Sequence, residues 1–167
     1  ILHQQSFFQK SVFYTTAKIA LVGDSGVGKT GLGYRIAEKE FIVTESTHGQ
    51  NFWVIDELGT TRADGTLCEA VLWDFAGQPD FRPIHSLFLD DVDLALVLYD
   101  PSRHDTLTGV DYWLKQLKHK RDELCNTVLV AARADVSQVP VRVEEMEDFA
   151  KQRDISGGFI STSAKSG

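Results

Sequence analysis

The sequence predicts an α/β protein: a mostly parallel sheet of six strands between layers of helix, with one antiparallel hairpin strand. Three observations lead there. Short apolar runs alternate with stretches of helical periodicity along the 167 residues, the pattern of strands crossing over through helices. One run, Asp93 to Tyr99, is too apolar to alternate, as a strand covered on both faces must be. Asp64-Gly65, between two strand-like runs, is a hairpin signal and marks the one place where neighbours should run antiparallel. A chain of this length is about one domain and can bury a sizeable core without covalent staples.

The elements follow in order. Residues 1–16 carry Phe7, Phe8, Phe13 and Tyr14 in no clear period and read as a flanking segment, or else as one that docks onto an upstream neighbour. The domain proper is expected over 17–167. The chain starts at Ile1 and its sole methionine is Met146, so an excerpt of a longer protein is expected. Lys18 to Val22 is a buried strand that runs into a Gly-rich turn; Leu32 and Ile36, four apart, start a helical stripe. Asn51 to Leu58 and Leu67 to Trp73 are the hairpin strands. Leu107, Val110, Leu114 and Leu117 form one helical stripe with Trp113 beside it. Thr127 to Ala132 is another buried strand. Pro140 precedes a helix built on Val143, Met146 and Ala150 with Phe149 alongside, and Gly158 to Thr162 is a last short strand.

Charge narrows the classes of function. Acidic residues outnumber basic ones 24 to 17, for a net charge of −7. That argues against nucleic acid, which wants a basic face, and against an anionic membrane surface. No run approaches the roughly 18 apolar residues of a membrane span, and no signal-peptide pattern is present. Cys68 and Cys125 fit neither a zinc spacing nor a disulfide framework; they read as reduced, buried thiols in a reducing, cytoplasmic setting. Glu144, Glu145, Glu147 and Asp148 read as a solvated helix face.

The strongest motif is Gly23-Asp-Ser-Gly-Val-Gly-Lys29-Thr30, which fits G-x-x-x-x-G-K-[ST] and lies between an apolar strand and a helix, the setting that motif requires. Backbone N–H groups of a Gly-rich turn can converge on a phosphate because no Cβ blocks the approach, and a helix N-terminus adds partial positive charge. Lys29 would reach the terminal phosphates and Thr30 would offer its hydroxyl to Mg²⁺. A phosphate loop alone does not separate kinases, ATPases and GTPases; Trp73-Asp74-Phe75-Ala76-Gly77-Gln78 does more. A carboxylate at Asp74, at a strand end, can hold Mg²⁺ opposite Thr30. Gly77 can bring its N–H to the γ-phosphate. Gln78, neutral and both donor and acceptor, suits the orienting of an attacking water. Thr47, 17 residues after Thr30 in a polar loop, can cap the metal ion.

With these motifs the chain resembles the Ras-like small GTPase superfamily over about residues 17–167. The phrasing Asp74-Phe-Ala-Gly-Gln-Pro-Asp-Phe81 looks most like the Roc domain of Roco proteins, with Rab-type GTPases next. The resemblance implies a P-loop NTPase sandwich that binds GTP and GDP with Mg²⁺ and hydrolyses GTP slowly, as a switch within a multidomain protein. Ser25, Gly26, Val27, Gly28, Lys29, Thr30 and Gly31 would line the diphosphate, with Gly77 at the γ-phosphate. Thr30, Thr47 and Asp74 would surround Mg²⁺, and Gln78 and Lys29 would carry catalysis. Ser163, Ala164 and Lys165, within Ser161-Thr-Ser-Ala-Lys165, match the family's base-contacting loop. The resemblance also implies two loops, about 40–50 and 75–90, that γ-phosphate orders and hydrolysis releases, to be read by effectors, neighbouring domains or a second copy. One more helix is expected after Gly167, over a sheet face that is otherwise uncovered.

One departure matters. Where the family has Asn-Lys-x-Asp, this chain has Ala132-Arg133-Ala134-Asp135. Asp135 can accept from guanine N1 and N2, or it is an ordinary loop aspartate. Arg133 can lay its plane on the base. The Asn amide is gone, and a lost buried hydrogen bond is worth about 0.5–1.5 kcal/mol, so guanine preference is expected to persist with weaker affinity. His48 and His85 read as solvated loop histidines; Arg82 is an internal arginine finger or a surface arginine. Phe81, Leu87 and Phe88 pack under the second loop or form a partner patch. Pro79 stiffens the loop beside Gln78, which keeps open a catalytically silent scaffold. A P-loop kinase or ATPase would want an Arg-rich lid late in the chain, and the sequence has none. Gly31 and Gly33 each cost about 1 kcal/mol against Ala inside a helix. Packing against nucleotide or strand accounts for Gly31, and nothing in the sequence accounts for Gly33.

Overall fold

The computed structural model describes residues 14–44, 49–55, 60–77, 88–118, 125–137 and 141–167. The elements run β1 (Tyr14–Gly23), α1 (Lys29–Glu38), β2 (Gln50–Ile55), β3 (Leu67–Phe75), β4 (Leu94–Tyr99), α2 (His104–Thr108), α3 (Val110–Lys118), β5 (Asn126–Ala131), α4 (Val143–Lys151) and β6 (Phe159–Ser161). The six strands form one sheet in the order β2-β3-β1-β4-β5-β6. Among the described strands only β2 is antiparallel to its neighbour; Ile55 faces Ala70 and Gln50 faces Phe75. The hairpin connection turns where Asp64-Gly65 predicts it. Thr66 N–H donates to Asp64 Oδ1 (2.9 Å) and Gly65 N–H to the Arg62 carbonyl (2.9 Å), an Asx-type turn in which Gly65 takes φ +85°.

The period of two along each strand divides the core between the sheet's faces. Ala20 and Val22 of β1, Ala95, Val97 and Tyr99 of β4, and Leu129 and Ala131 of β5 share one cluster with Val110, Trp113, Leu114 and Leu117 of α3 and Ala150 of α4. Leu21, Leu72, Leu98 and Val130 form the other with Leu32 of α1. Each aliphatic side chain moved from water into such a cluster contributes about 1.5–3 kcal/mol, which is why β4, the second half of β1 and the last four residues of β5 are apolar.

Several expectations shift. β1 begins at Tyr14, so part of the segment read as flank is strand, paired Tyr14 to Leu67 and Thr16 to Glu69. Ladder hydrogen bonds belong to the backbone, so two threonines can extend a strand with no apolar pattern to announce them. The stripe read as one helix is two, α2 and α3, separated at Gly109. An added Cβ there would meet Asp24 Oδ2 at 2.2 Å, so the phosphate loop presses on this junction. Trp113 lies at the centre of the core, fully buried. Its indole N–H donates to Asp24 Oδ1 (3.4 Å). Gly33 has a reason after all: a Cβ would fall 2.7 Å from Trp53 Cζ3 and 3.0 Å from Leu21 Cδ1, whereas at Gly31 the nearest atom is Ala164 Cβ at an ordinary 3.8 Å. Cys68 and Cys125 are thiols rather than disulfide partners, and both are half-buried where burial was expected.

Candidate functional site

Five of the six strands run parallel, so their carboxyl ends share one edge of the sheet. The turns that leave that edge begin at Asp24, Ala76, Asp100, Ala132 and Thr162. Chain order reverses there, between β1 and its neighbours on either side, and such a switch point is where open α/β sheets bind ligands. An open cleft of about 470 Å³ occupies this edge. Ser25, Gly26, Gly28, Lys29, Thr30, Gly31 and Gly77 line it on the phosphate-loop side, and Arg133, Asp135, Ala164 and Lys165 on the other. Ala132 forms part of the wall, as do Phe41 to Thr44, from the first of the two expected switch loops.

The phosphate loop has the predicted form. Gly28 is the N-cap of α1 in the left-handed region (φ +99°), no side chain caps the helix, and no acidic residue sits in its first turn. The helix start thus turns its N–H groups and their partial positive charge to the cleft with no side chain of its own as a cap. Lys29 is only 5% exposed. Its ammonium donates to the carbonyls of Gly23 (2.9 Å) and Asp24 (2.8 Å). Burial pushes its pKa down to about 8, against the opposing pull of Asp74 and Asp24. A buried cation whose hydrogen-bond partners are neutral carbonyls is poised for an anion. Gly77 sits against the loop so closely that a Cβ would meet the Asp24 carbonyl carbon at 2.4 Å and Ser25 N at 2.5 Å.

Thr30 Oγ1 donates to Asp74 Oδ2 (2.6 Å), and Asn51 Nδ2 reaches the same oxygen at 3.5 Å. Asp74 is fully buried at the end of β3. A hydroxyl and a carboxylate side by side, next to a phosphate loop, are the hard oxygen donors that Mg²⁺ takes. On the far side Ser163 is buried and donates to Asp135 Oδ1 (2.6 Å), while its own oxygen accepts from the N–H groups of Lys165 and Ser166. The Ser163 side chain thus holds the aspartate and shapes its own loop. Val27 likewise turns its side chain into the core, which leaves only its backbone to the loop. Arg133, with φ +59°, packs its stem over Gly28. It donates to the Gly26 carbonyl (3.2 Å) and to Asp100 Oδ2 (3.3 Å).

Thr47 and Gln78 lie outside the described residues, as do His48, Pro79, Phe81, Arg82, His85 and Leu87. Phe88 is described: its ring lies 6.3 Å from Trp73, which is 6.0 Å from Phe52. Lys18 reaches across to this corner, its ammonium donating to the carbonyls of Phe88 and Asp90 and lying 4.8 Å from the Trp73 ring centroid. Sequence reasoning overlooked Asp24, Asp100 and Arg103 around the phosphate loop. For Asp24 and Arg103 no local signal exists, since their partners are 89 and 78 residues away.

The fold and the cleft define the class: an α/β protein with a P-loop at the switch point of its sheet. A family model described as "Ras family" matches residues 18–167. Among curated proteins the chain is similar to the Ras-related protein RABA1b of Arabidopsis thaliana, the Ras-related protein RIC2 of Oryza sativa subsp. japonica and the Ras-related protein Rab11B of Nicotiana tabacum. Each is 36% identical over 149 residues, which cover 88% of this chain and 66% of the relative. The chain therefore spans just under two thirds of the length of these relatives, and it belongs to the Ras family.

Proposed function

We propose that this chain is a guanine-nucleotide-binding switch that hydrolyses GTP to GDP slowly. The observation that carries this reading is Lys29, a buried ammonium beside an uncapped helix N-terminus in a Gly-rich loop. Asp135, held by Ser163 at the far side of the cleft, supplies the guanine preference through two acceptor oxygens. Mg²⁺ fits the Thr30 and Asp74 oxygens, and when bound it supplies charge neutralisation for the phosphates. Lys29 and the loop N–H groups bind and orient the phosphates, and Gln78 holds the attacking water. With positioning alone and no activator, turnover on the order of 10⁻⁴ s⁻¹ is expected.

Partners read the two switch loops, 40–50 and 75–90. Phe52, 65% exposed on β2 beside Trp73, gives them an apolar foothold. Of the two subfamily resemblances, the names of the relatives favour the Rab type. A regulatory place inside a larger, cytoplasmic protein, pairing with a second copy included, belongs to the same reading. The catalytically silent alternative is favoured by Ala132, whose methyl cannot donate or accept where the family has an amide.

Turnover of radiolabelled GTP and ATP, with bound nucleotide identified by mass after denaturation, tests the proposal. GDP released from the protein and slow GTP-specific turnover support it. Guanine nucleotide without turnover selects the silent scaffold, and adenine nucleotide contradicts both.

A further inference from the structure

Four successive carbonyls of the phosphate loop each accept a hydrogen bond from a cationic side chain. Lys29 takes Gly23 and Asp24, Arg133 takes Gly26 at 3.2 Å, and Arg103 Nη1 takes Ser25 at 2.9 Å. Arg103 lies outside the motifs. It enters from the turn after β4, and its other terminal nitrogen pairs with Asp105 Oδ2 (3.2 Å) in the first turn of α2. The guanidinium lies 3.1 Å from where a Gly26 Cβ would stand. The fork is thus anchored at one tine and places the other on the loop, which a single ammonium cannot do.

A trans peptide points its C=O and N–H in opposite directions. Holding the Ser25 carbonyl therefore sets the direction of the Gly26 N–H, and holding the Gly26 carbonyl sets that of Val27. These are N–H groups that a Gly-rich turn contributes to an anion nest. Gly26, at φ +77°, has no side chain to fix its own peptide.

We propose that Arg103 is a positioning residue for the phosphate loop: through the Ser25 carbonyl it holds the loop's N–H groups toward the diphosphate and sets how long a nucleoside diphosphate stays bound. This rests on the guanine-nucleotide reading above and adds to it a residue outside the motifs. The test uses the full chain loaded with a fluorescent GDP analogue, with dissociation followed on addition of excess GDP. Arg103→Ala is expected to speed dissociation roughly tenfold, the effect of losing one hydrogen bond from a charged donor. Arg103→Lys, which keeps charge and one donor, is expected to recover part of it. In amide spectra of the GDP-bound protein, the Gly26 resonance shifts in Arg103→Ala and moves back toward its original position in Arg103→Lys. Asp105→Asn, which loosens the anchor without touching the loop, is expected to give an intermediate rate. A dissociation rate unchanged in the variants, or a Gly26 resonance that does not move, overturns the proposal and leaves the nucleotide reading intact. Failure of the unmodified chain to bind GDP overturns both.

Discussion

Lys29 shows how much one side chain can carry. Its ammonium is buried, donates to two neutral carbonyls and has its pKa depressed to about 8, so an arriving polyphosphate restores charge stabilisation that folding removed. Lys29→Ala is expected to abolish GDP binding while the chain stays folded; micromolar affinity by calorimetry would contradict the phosphate-loop assignment. Gln78→Leu is expected to slow single-turnover GTP hydrolysis and spare binding, and an unchanged rate would assign the water to another group. Ala132→Asn should return the missing amide and tighten GDP by about 2- to 10-fold, the equivalent of one buried hydrogen bond; equal dissociation rates would show that the site has no use for it. At this scale the sequence was legible wherever chemistry is local. The Gly-rich loop and Thr30 could be placed because a spacing of G-x-x-x-x-G-K-[ST] dictates its own backbone, and Asp74 because the apolar run before it ends as a strand. Arg103 and the Asp24–Trp113 hydrogen bond could not be, because each joins residues that only the finished sheet brings together.

Elements were legible in kind more than in extent. The hydrophobic patterns of β4 and β5 identified strands buried on both faces, and the Asp64-Gly65 turn marked the antiparallel pairing of β2 with β3. The break between α2 and α3 was hidden, and so was the need for glycine there: the Asp24 carboxylate stands where a Gly109 Cβ would be, a contact between residues far apart in sequence. The same is true of Gly33 in α1, whose absent side chain leaves room for the Trp53 indole of β2. Gly33→Ala should gain about 1 kcal/mol of helix propensity and lose about 1–3 kcal/mol to overpacking. A net loss of stability is expected in urea melts, and a gain would show that the indole moves aside freely. Between helices, Arg153 after α4 donates to both carboxylate oxygens of Asp111 on α3 (2.6 and 3.2 Å). This hydrogen bond holds the Asp111 pKa below its usual value, with smaller help from the charges of Arg153 and Lys115. The unfolded chain then binds more protons than the folded one in the acid range. The pair's contribution is therefore present above about pH 4 and lost as pH falls through the folded value. Asp111→Asn should flatten the decline of melting temperature below pH 4, and an unchanged slope would show that solvent already screens the pair.

For the molecule as a whole, one sheet edge gathers loops that begin at Asp24, Ala76, Asp100, Ala132 and Thr162, and the cleft exists only when all five strands stand in register. A ligand that bridges these loops binds the folded state alone. Ligand at about 1,000 times its dissociation constant should therefore stabilise the fold by about 4 kcal/mol, so melting temperature should climb with GDP and Mg²⁺. The most direct measurement is calorimetric titration of well-folded, nucleotide-stripped protein with GDP, GTP and ATP in the presence of Mg²⁺. Saturable heat from both guanine nucleotides, with ATP at least a hundredfold weaker, is the predicted result. No heat from any of the three at millimolar concentration, or equal affinity for GTP and ATP, would contradict it.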